Sequence, residues 1–129
     1  MTKQSYTRQT DENLIVVNCL LDEHELALAL DTGASHTTID LSPLIIAGYE
    51  IANAIKTVPI ETASGIIDAY VFKIKALTAI GVTKTDLEIC AYDFFSYQLI
   101  TDFDGVLGLD FFENNKLCID FSKNILTIQ

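Results

Sequence analysis

Apolar residues recur at every second position over much of the chain, the period of a half-buried β-strand. The run Leu14–Leu21 is of strand length. In Glu25–Leu30, Leu26, Leu28 and Leu30 share one face, and Asp22-Glu23-His24 between the two segments predicts a hairpin turn. Ala69–Lys75 puts Tyr70, Phe72 and Ile74 on one face and Lys73 and Lys75 on the other. Thr85–Ala91 alternates Leu87, Ile89 and Ala91 against Asp86, Glu88 and Cys90. Leu117, Ile119 and Phe121 alternate with Cys118 and Asp120, and a Ser122-Lys123-Asn124 turn leads into a closing strand, Ile125–Ile128. Two short helices fit between strands. Ser42 is a suitable N-cap with Pro43 at the first helical position and Gly48 as the stop. A second helix is expected from Asp110, with Glu113 completing a capping box. Many short strands and one or two helical turns predict an all-β domain, closed or sandwiched. Residues 1–12 are polar and predict a loose N-terminal segment, which leaves 13–129 as the folded domain.

Composition narrows the function. The 129 residues carry 8 basic and 18 acidic side chains, a net charge of −10, and half of the chain is hydrophobic. That length and apolar content suffice for one domain with a real core. The acidic balance argues against nucleic acid and anionic lipid as partners, because both recruit basic side chains. No apolar run approaches the ~18 residues that span a membrane, and no apolar signal core stands at the N-terminus. Cys19, Cys90 and Cys118 are scattered and odd in number, so they predict buried thiols in a reducing compartment, with the cytoplasm as the default. No cofactor and no metal site is expected.

Chemistry concentrates in Leu28-Ala29-Leu30-Asp31-Thr32-Gly33-Ala34-Ser35, where an apolar strand runs directly into a carboxylate, a hydroxyl and a glycine. A carboxylate at the end of a buried strand is costly unless hydrogen-bonded, and a tight loop at Gly33 can supply backbone N–H groups. The bland alternative is an ordinary Asp-Thr-Gly turn. A second apolar strand with a glycine, Gly105-Val106-Leu107-Gly108, comes before Leu109-Asp110-Phe111-Phe112, and Gly108 stands 77 residues after Asp31. Between them lies Val58-Pro59-Ile60-Glu61-Thr62-Ala63-Ser64-Gly65-Ile66-Ile67-Asp68-Ala69-Tyr70.

In these three elements, in this order, the chain resembles the retropepsin-like aspartic proteases, the single-domain relatives of pepsin. Leu30–Ser35 matches the family's catalytic loop, Val106-Leu107-Gly108 matches its later apolar-apolar-Gly segment, and the middle stretch matches its flap hairpin. Similar T-A-x-G flaps occur in bacterial single-domain members, which makes a bacterial cellular protein the expectation. The resemblance covers roughly residues 14–128. It implies an acid-protease half-barrel with a flap, acting as a twofold homodimer. Asp31 would be the catalytic carboxylate, Thr32 would lock the two active loops together, and Gly33 would approach the substrate backbone. Ala34, Val106 and the flap tip Ala63, Ser64 and Gly65 would contact the peptide. Ser35, Leu107 and Gly108 would support the loop, with Gly108 letting the chain pass close behind it.

One Asp-Thr-Gly per chain implies that the second carboxylate comes from a second copy. Asp102 and Asp104 lack a following Thr-Gly. Two carboxylates this close share one proton, the behaviour of aspartic-protease dyads in general. Alanine at position 34 offers no hydroxyl to the ionised carboxylate, where members with Ser or Thr do, so the expected optimum is about pH 5–7 rather than strongly acid. Val106 and Ile66 predict apolar side chains flanking the cut bond, and the acidic surface would repel acidic substrates.

Other features carry less. His24 and His36 are lone histidines without metal-ligand spacing, and His36 sits close enough to the loop to influence pH dependence. Ser35 and Ser64 lack a nucleophile elbow. Gly105-x-x-Gly108 lacks the features of a phosphate cradle. Tyr92, Phe94, Phe95 and Tyr97 read as core, with an exposed binding patch as the alternative. A rival function on the same fold is a dimeric peptide-binding or assembly module with little or no cleavage.

Overall fold

The alternating segments form the strands of two sheets in a computed structural model that describes residues 1–8, 14–62, 65–97 and 102–129. In chain order the strands are β1 (Thr2–Ser5), β2 (Thr7–Arg8), β3 (Ile15–Leu21), β4 (His24–Leu30), β5 (Thr38–Asp40), β6 (Lys56–Thr62), β7 (Gly65–Ala79), β8 (Val82–Tyr92), β9 (Gly105–Leu107), β10 (Leu117–Asp120) and β11 (Ile125–Ile128). Helix α1 (Leu41–Ile46) follows β5, and single 3-10 turns occupy Ile51–Asn53 and Leu109–Phe112.

The larger sheet runs β2-β3-β4-β9-β5-β8-β7-β6, and β3 also pairs with β7 through Leu20–Thr78 and Leu21–Leu77. That extra pairing closes six strands into a ring, with β2 and β6 as appendages. The fold is the expected all-β half-barrel. Most neighbours are antiparallel, but β4 pairs with β9, and β5 with β8, in parallel. The β4–β9 pair sets the Asp31 strand beside Val106. The interior is built from Val17, Leu21, Leu28, Ile39, Ile74, Leu77, Ile89, Leu107 and Phe111, all without solvent contact.

A second apolar cluster lies under the β6–β7 hairpin: Ile67, Ala69, Val71, Cys90, Tyr92 and Phe94, with Val58 and Ile60 against it. Both faces of β7 and β8 are therefore covered along part of their length. This explains why Cys90, on the face expected to be polar, is buried. Of the aromatic run, Tyr92 and Phe94 join this cluster, whereas Phe95 is 80% exposed.

Three expectations need correction. Residues 2–5 and 7–8 of the segment expected to be loose are strands: β1 pairs with β11 and β2 with β3. Polar side chains anchor them. Thr2 Oγ1 donates to the Ile80 carbonyl, Gln4 Oε1 accepts from Ile80 N–H at 2.7 Å, and Tyr6 is buried. Residues 9–12 lie outside the described residues. Next, α1 starts at Leu41 rather than after Ser42. Asp40 stands at the N-cap, but its Oδ1 accepts from Phe94 N–H instead of capping the helix. Gly48 does follow the helix end, at φ +101°. Finally, the turn after Gly108 is a 3-10 turn with no capping box, and Glu113 falls beyond it.

Candidate active site

Asp31 follows the last residue of β4, and its N–H donates to the Leu107 carbonyl of β9 at 3.0 Å. The chain then turns tightly. Ala34 N–H donates to the Asp31 carbonyl at 3.1 Å, and Gly33 N–H donates to Asp31 Oδ1 at 2.9 Å. A Cβ on Gly33 would lie 3.2 Å from that same oxygen, so a side chain there would press on the carboxylate. Asp31, Thr32, Gly33 and Ser35 are exposed in the single chain and Ala34 is half-buried. Ser35 Oγ and His36 Nδ1 are hydrogen-bonded at 2.9 Å.

Behind the loop, β9 and the turn after it make a tight crossing. A Cβ on Gly108 would lie 2.7 Å from the His36 carbonyl carbon and 2.8 Å from the Ala34 oxygen. Both are backbone atoms that cannot step aside, so no side chain fits. Leu109 N–H donates to the Ala34 carbonyl at 2.9 Å. Leu107 is fully buried and Val106 half-buried, with Val106 between Ala29 and Thr38 in the sheet.

The residues that tie this crossing together are Thr37 and Asp110. The Asp110 carboxylate accepts from Thr37 N–H at 2.9 and 3.0 Å, from Thr37 Oγ1 at 2.7 Å, and from Phe111 N–H at 2.9 Å. Thr37 Oγ1 in turn accepts from Gly108 N–H at 3.1 Å. Thr37 has no solvent contact. A buried hydroxyl that both donates to a carboxylate and accepts from a backbone N–H fixes the spacing of two chain segments. Sequence pattern alone gives Thr37 no role and marks Asp110 only as a helix start. The available signal was a carboxylate directly after the Gly108 segment and a threonine soon after Asp31.

A cleft of about 830 Å³ opens from this loop. Gly33, Ala34, Ser35 and His36 line it on the loop side, and Lys56, Val58, Pro59, Ile60 and Glu61 of β6 line it on the hairpin side. The β6–β7 hairpin pairs from Lys56–Val71 out to Thr62–Gly65, where Thr62 Oγ1 donates to the Gly65 carbonyl at 2.9 Å. Gly65 opens β7. Ala63 and Ser64, expected at the flap tip, lie outside the described residues. The Asp104 carboxylate is committed elsewhere, accepting from Ala27 N–H at 2.9 Å. Among the described residues, no helix is long and apolar enough to cross a membrane.

The sequence pattern of the aspartyl protease family matches residues 17–111, from β3 through the crossing at Gly108. The chain belongs to the aspartyl protease family. Among solved structures, a retropepsin-like aspartic protease from Rickettsia conorii superposes with a TM-score of 0.71 at 20% identity, over 96% of this chain and 87% of that one. The likeness extends the shared fold well beyond the matched segment, and the fold is retropepsin-like. No curated protein matches the chain in sequence.

Proposed function

We propose that this aspartyl protease is an endopeptidase that works as a homodimer, with the Asp31 carboxylates of two copies at the twofold axis. One observation carries this reading: the Asp31 carboxylate stands exposed in a hydrogen-bonded loop beside a cleft walled by the β6–β7 hairpin. Exposed Asp31 and Thr32, with Leu109 49% exposed nearby, support a second copy covering that face. A peptide lies extended in the cleft, its backbone pairing with the flap around Ala63–Gly65, and alternate side chains enter pockets bordered by Ala34 and Val106. One carboxylate, ionised, takes a proton from a water. The other, protonated, gives its proton to the scissile carbonyl oxygen as the water oxygen bonds to the carbonyl carbon. Collapse of the resulting diol breaks the C–N bond as the nitrogen takes up a proton. Thr32 braces the paired loops, Gly33 leaves room for the substrate backbone, and Ser35, Leu107 and Gly108 hold the loop in place. The free thiols Cys19, Cys90 and Cys118 support a cytoplasmic setting.

The test is cleavage of a diverse peptide library, read by mass spectrometry from about pH 3 to pH 8, with wild type and Asp31→Asn side by side. The expected result is cutting that peaks at about pH 5–7 and falls at least about a hundredfold in the variant. Equal cutting by both proteins refutes the assignment of Asp31. A confirmed dimer that cuts nothing favours a peptide-binding module on the same fold.

A further inference from the structure

The sheet register lines up one row of side chains across five strands. Lys56 faces Val71, Val71 faces Cys90, Cys90 faces Thr38, and Thr38 faces Val106. Residues directly opposite on neighbouring strands leave the sheet on the same side. The row therefore runs from beside the Asp31 loop, along the cleft, to the first strand of the flap. Lys56, Val71, Cys90 and Thr38 all line the cleft. With strands about 4.8 Å apart, Lys56 stands about 14 Å along the sheet from Thr38. That places it beyond the residues next to the cut bond. Its surroundings are apolar: Val71 and Cys90 are buried, and Val58 packs on the cluster beneath the hairpin.

The charges around this row can be assigned one by one. Glu88 shares the face of Cys90, two residues away, but lies directly opposite Lys73, so a facing cation offsets it. Glu61 also borders the cleft, but it stands five residues along β6 from Lys56, about 17 Å at the strand rise, and at a position of opposite parity. His36 is hydrogen-bonded to Ser35. Lys56 faces only Val71, because β6 is the last strand of the sheet order. Burial first, and then the Asp110 carboxylate, hold the Cys90 thiol above its ordinary range, and the Lys56 ammonium offsets part of that rise from its place in the same row. In a chain of net charge −10, Lys56 thus stands over the buried Val71 and Cys90 in the cleft, with no carboxylate directly opposite it in the sheet among the described residues.

We propose that Lys56 is a specificity-determining residue that receives the carboxylate of an Asp or Glu side chain of the peptide, at one position away from the cut bond. The acidic surface disfavours acidic peptides as a whole, and Lys56 selects an acidic residue at that one position. This rests on the endopeptidase reading above.

The experiment compares peptides that differ only in Glu against Gln at each position outside the cut bond, with wild type, Lys56→Met and Lys56→Glu. At one position wild type is expected to prefer Glu by about two- to fivefold in kcat/KM, the range of a partly solvated ion pair, and less at high salt. Lys56→Met should bring that ratio to about one. Lys56→Glu should turn it below one and favour Lys in its place. An unchanged ratio in both variants overturns the assignment of Lys56 while leaving the endopeptidase intact. Should wild type cut nothing, the same peptides are arrayed for binding to the Asp31→Asn and Asp31→Asn/Lys56→Glu proteins. An acidic preference lost in the second then supports Lys56 without catalysis, and absence of any peptide binding overturns both readings.

Discussion

Replacing Thr37 by valine would test whether the buried tie behind the Asp31 loop holds the crossing together. The side chain keeps its branched shape and loses only the hydroxyl. Two interactions go with it: the bond donated to the Asp110 carboxylate at 2.7 Å and the bond accepted from Gly108 N–H at 3.1 Å. The first is charge-assisted, worth about 1.5–3 kcal/mol, and the second leaves a buried donor unpaired at a cost of about 1–3 kcal/mol. Asp110 keeps its bonds from Thr37 N–H and Phe111 N–H, which limits the damage. An overall loss of about 3 kcal/mol follows, a large share of a domain's usual ~5–15 kcal/mol. Thr37→Ser keeps the hydroxyl and loses one methyl, about 1 kcal/mol. In urea, with a slope of about 1.5 kcal/mol per M, Thr37→Val should lower the midpoint by about 2 M and Thr37→Ser by about 0.7 M. Protein concentration is held fixed because association adds to apparent stability. Midpoints for the two variants within about 0.3 M of one another would show that the hydroxyl network does not support the crossing.

Two further outcomes are expected. Gly108→Ala pushes a Cβ to within 2.7–2.8 Å of backbone atoms of His36 and Ala34, whereas Gly48→Ala meets no atom within 4 Å and suffers only from its φ of +101°. Gly108→Ala should therefore cost more than about 3 kcal/mol or fail to fold, and Gly48→Ala about 1 kcal/mol; similar thermal melts for the pair would refute the close crossing. Burial pushes the Cys19 thiol up to about 12 from 9.0. The folded chain keeps that proton where the unfolded chain releases it, so this contribution to stability is intact below about pH 9 and is lost progressively from about pH 9 to about pH 12. Melts of wild type and Cys19→Ala at about pH 8 and pH 10.5 check the sign, since wild type should lose more stability between the two.

The strands were legible because alternation is a local property: the face Leu26, Leu28, Leu30 needed no knowledge of the partner strand. The Asp31 and Gly108 segments were legible as well, since both are short and contiguous. What escaped was long-range. Thr37 and Asp110 are 73 residues apart, and no spacing rule joins them. The N-terminal strand is hidden in the sequence because its polar residues look solvent-facing, whereas Thr2 and Gln4 spend their side chains on backbone groups of Ile80 and Asn18. The buried side of Cys90 was missed because alternation assumes one dry face, and the flap hairpin dries the second. Helix α1 starts at Leu41 after an Asp40 whose carboxylate is engaged by Phe94 N–H, a partner unknown to local capping rules.

The three-stranded sheet imposes an order on assembly. Leu117 meets Ile128 across a hairpin, 11 residues apart, whereas Thr2 meets the same Ile128 from 126 residues away. The entropy of closing the larger loop exceeds that of the smaller by about 2 kcal/mol. The β10–β11 hairpin can form on its own account, and β1 adds to a template already made. Because β11 takes β10 on one side and β1 on the other, both of its hydrogen-bonding edges are used within one chain. Until β1 arrives, that edge of β11 is open and can accept any extended segment of matching length. The addition of β1 is thus also the step that shields this edge from pairing with the wrong strand.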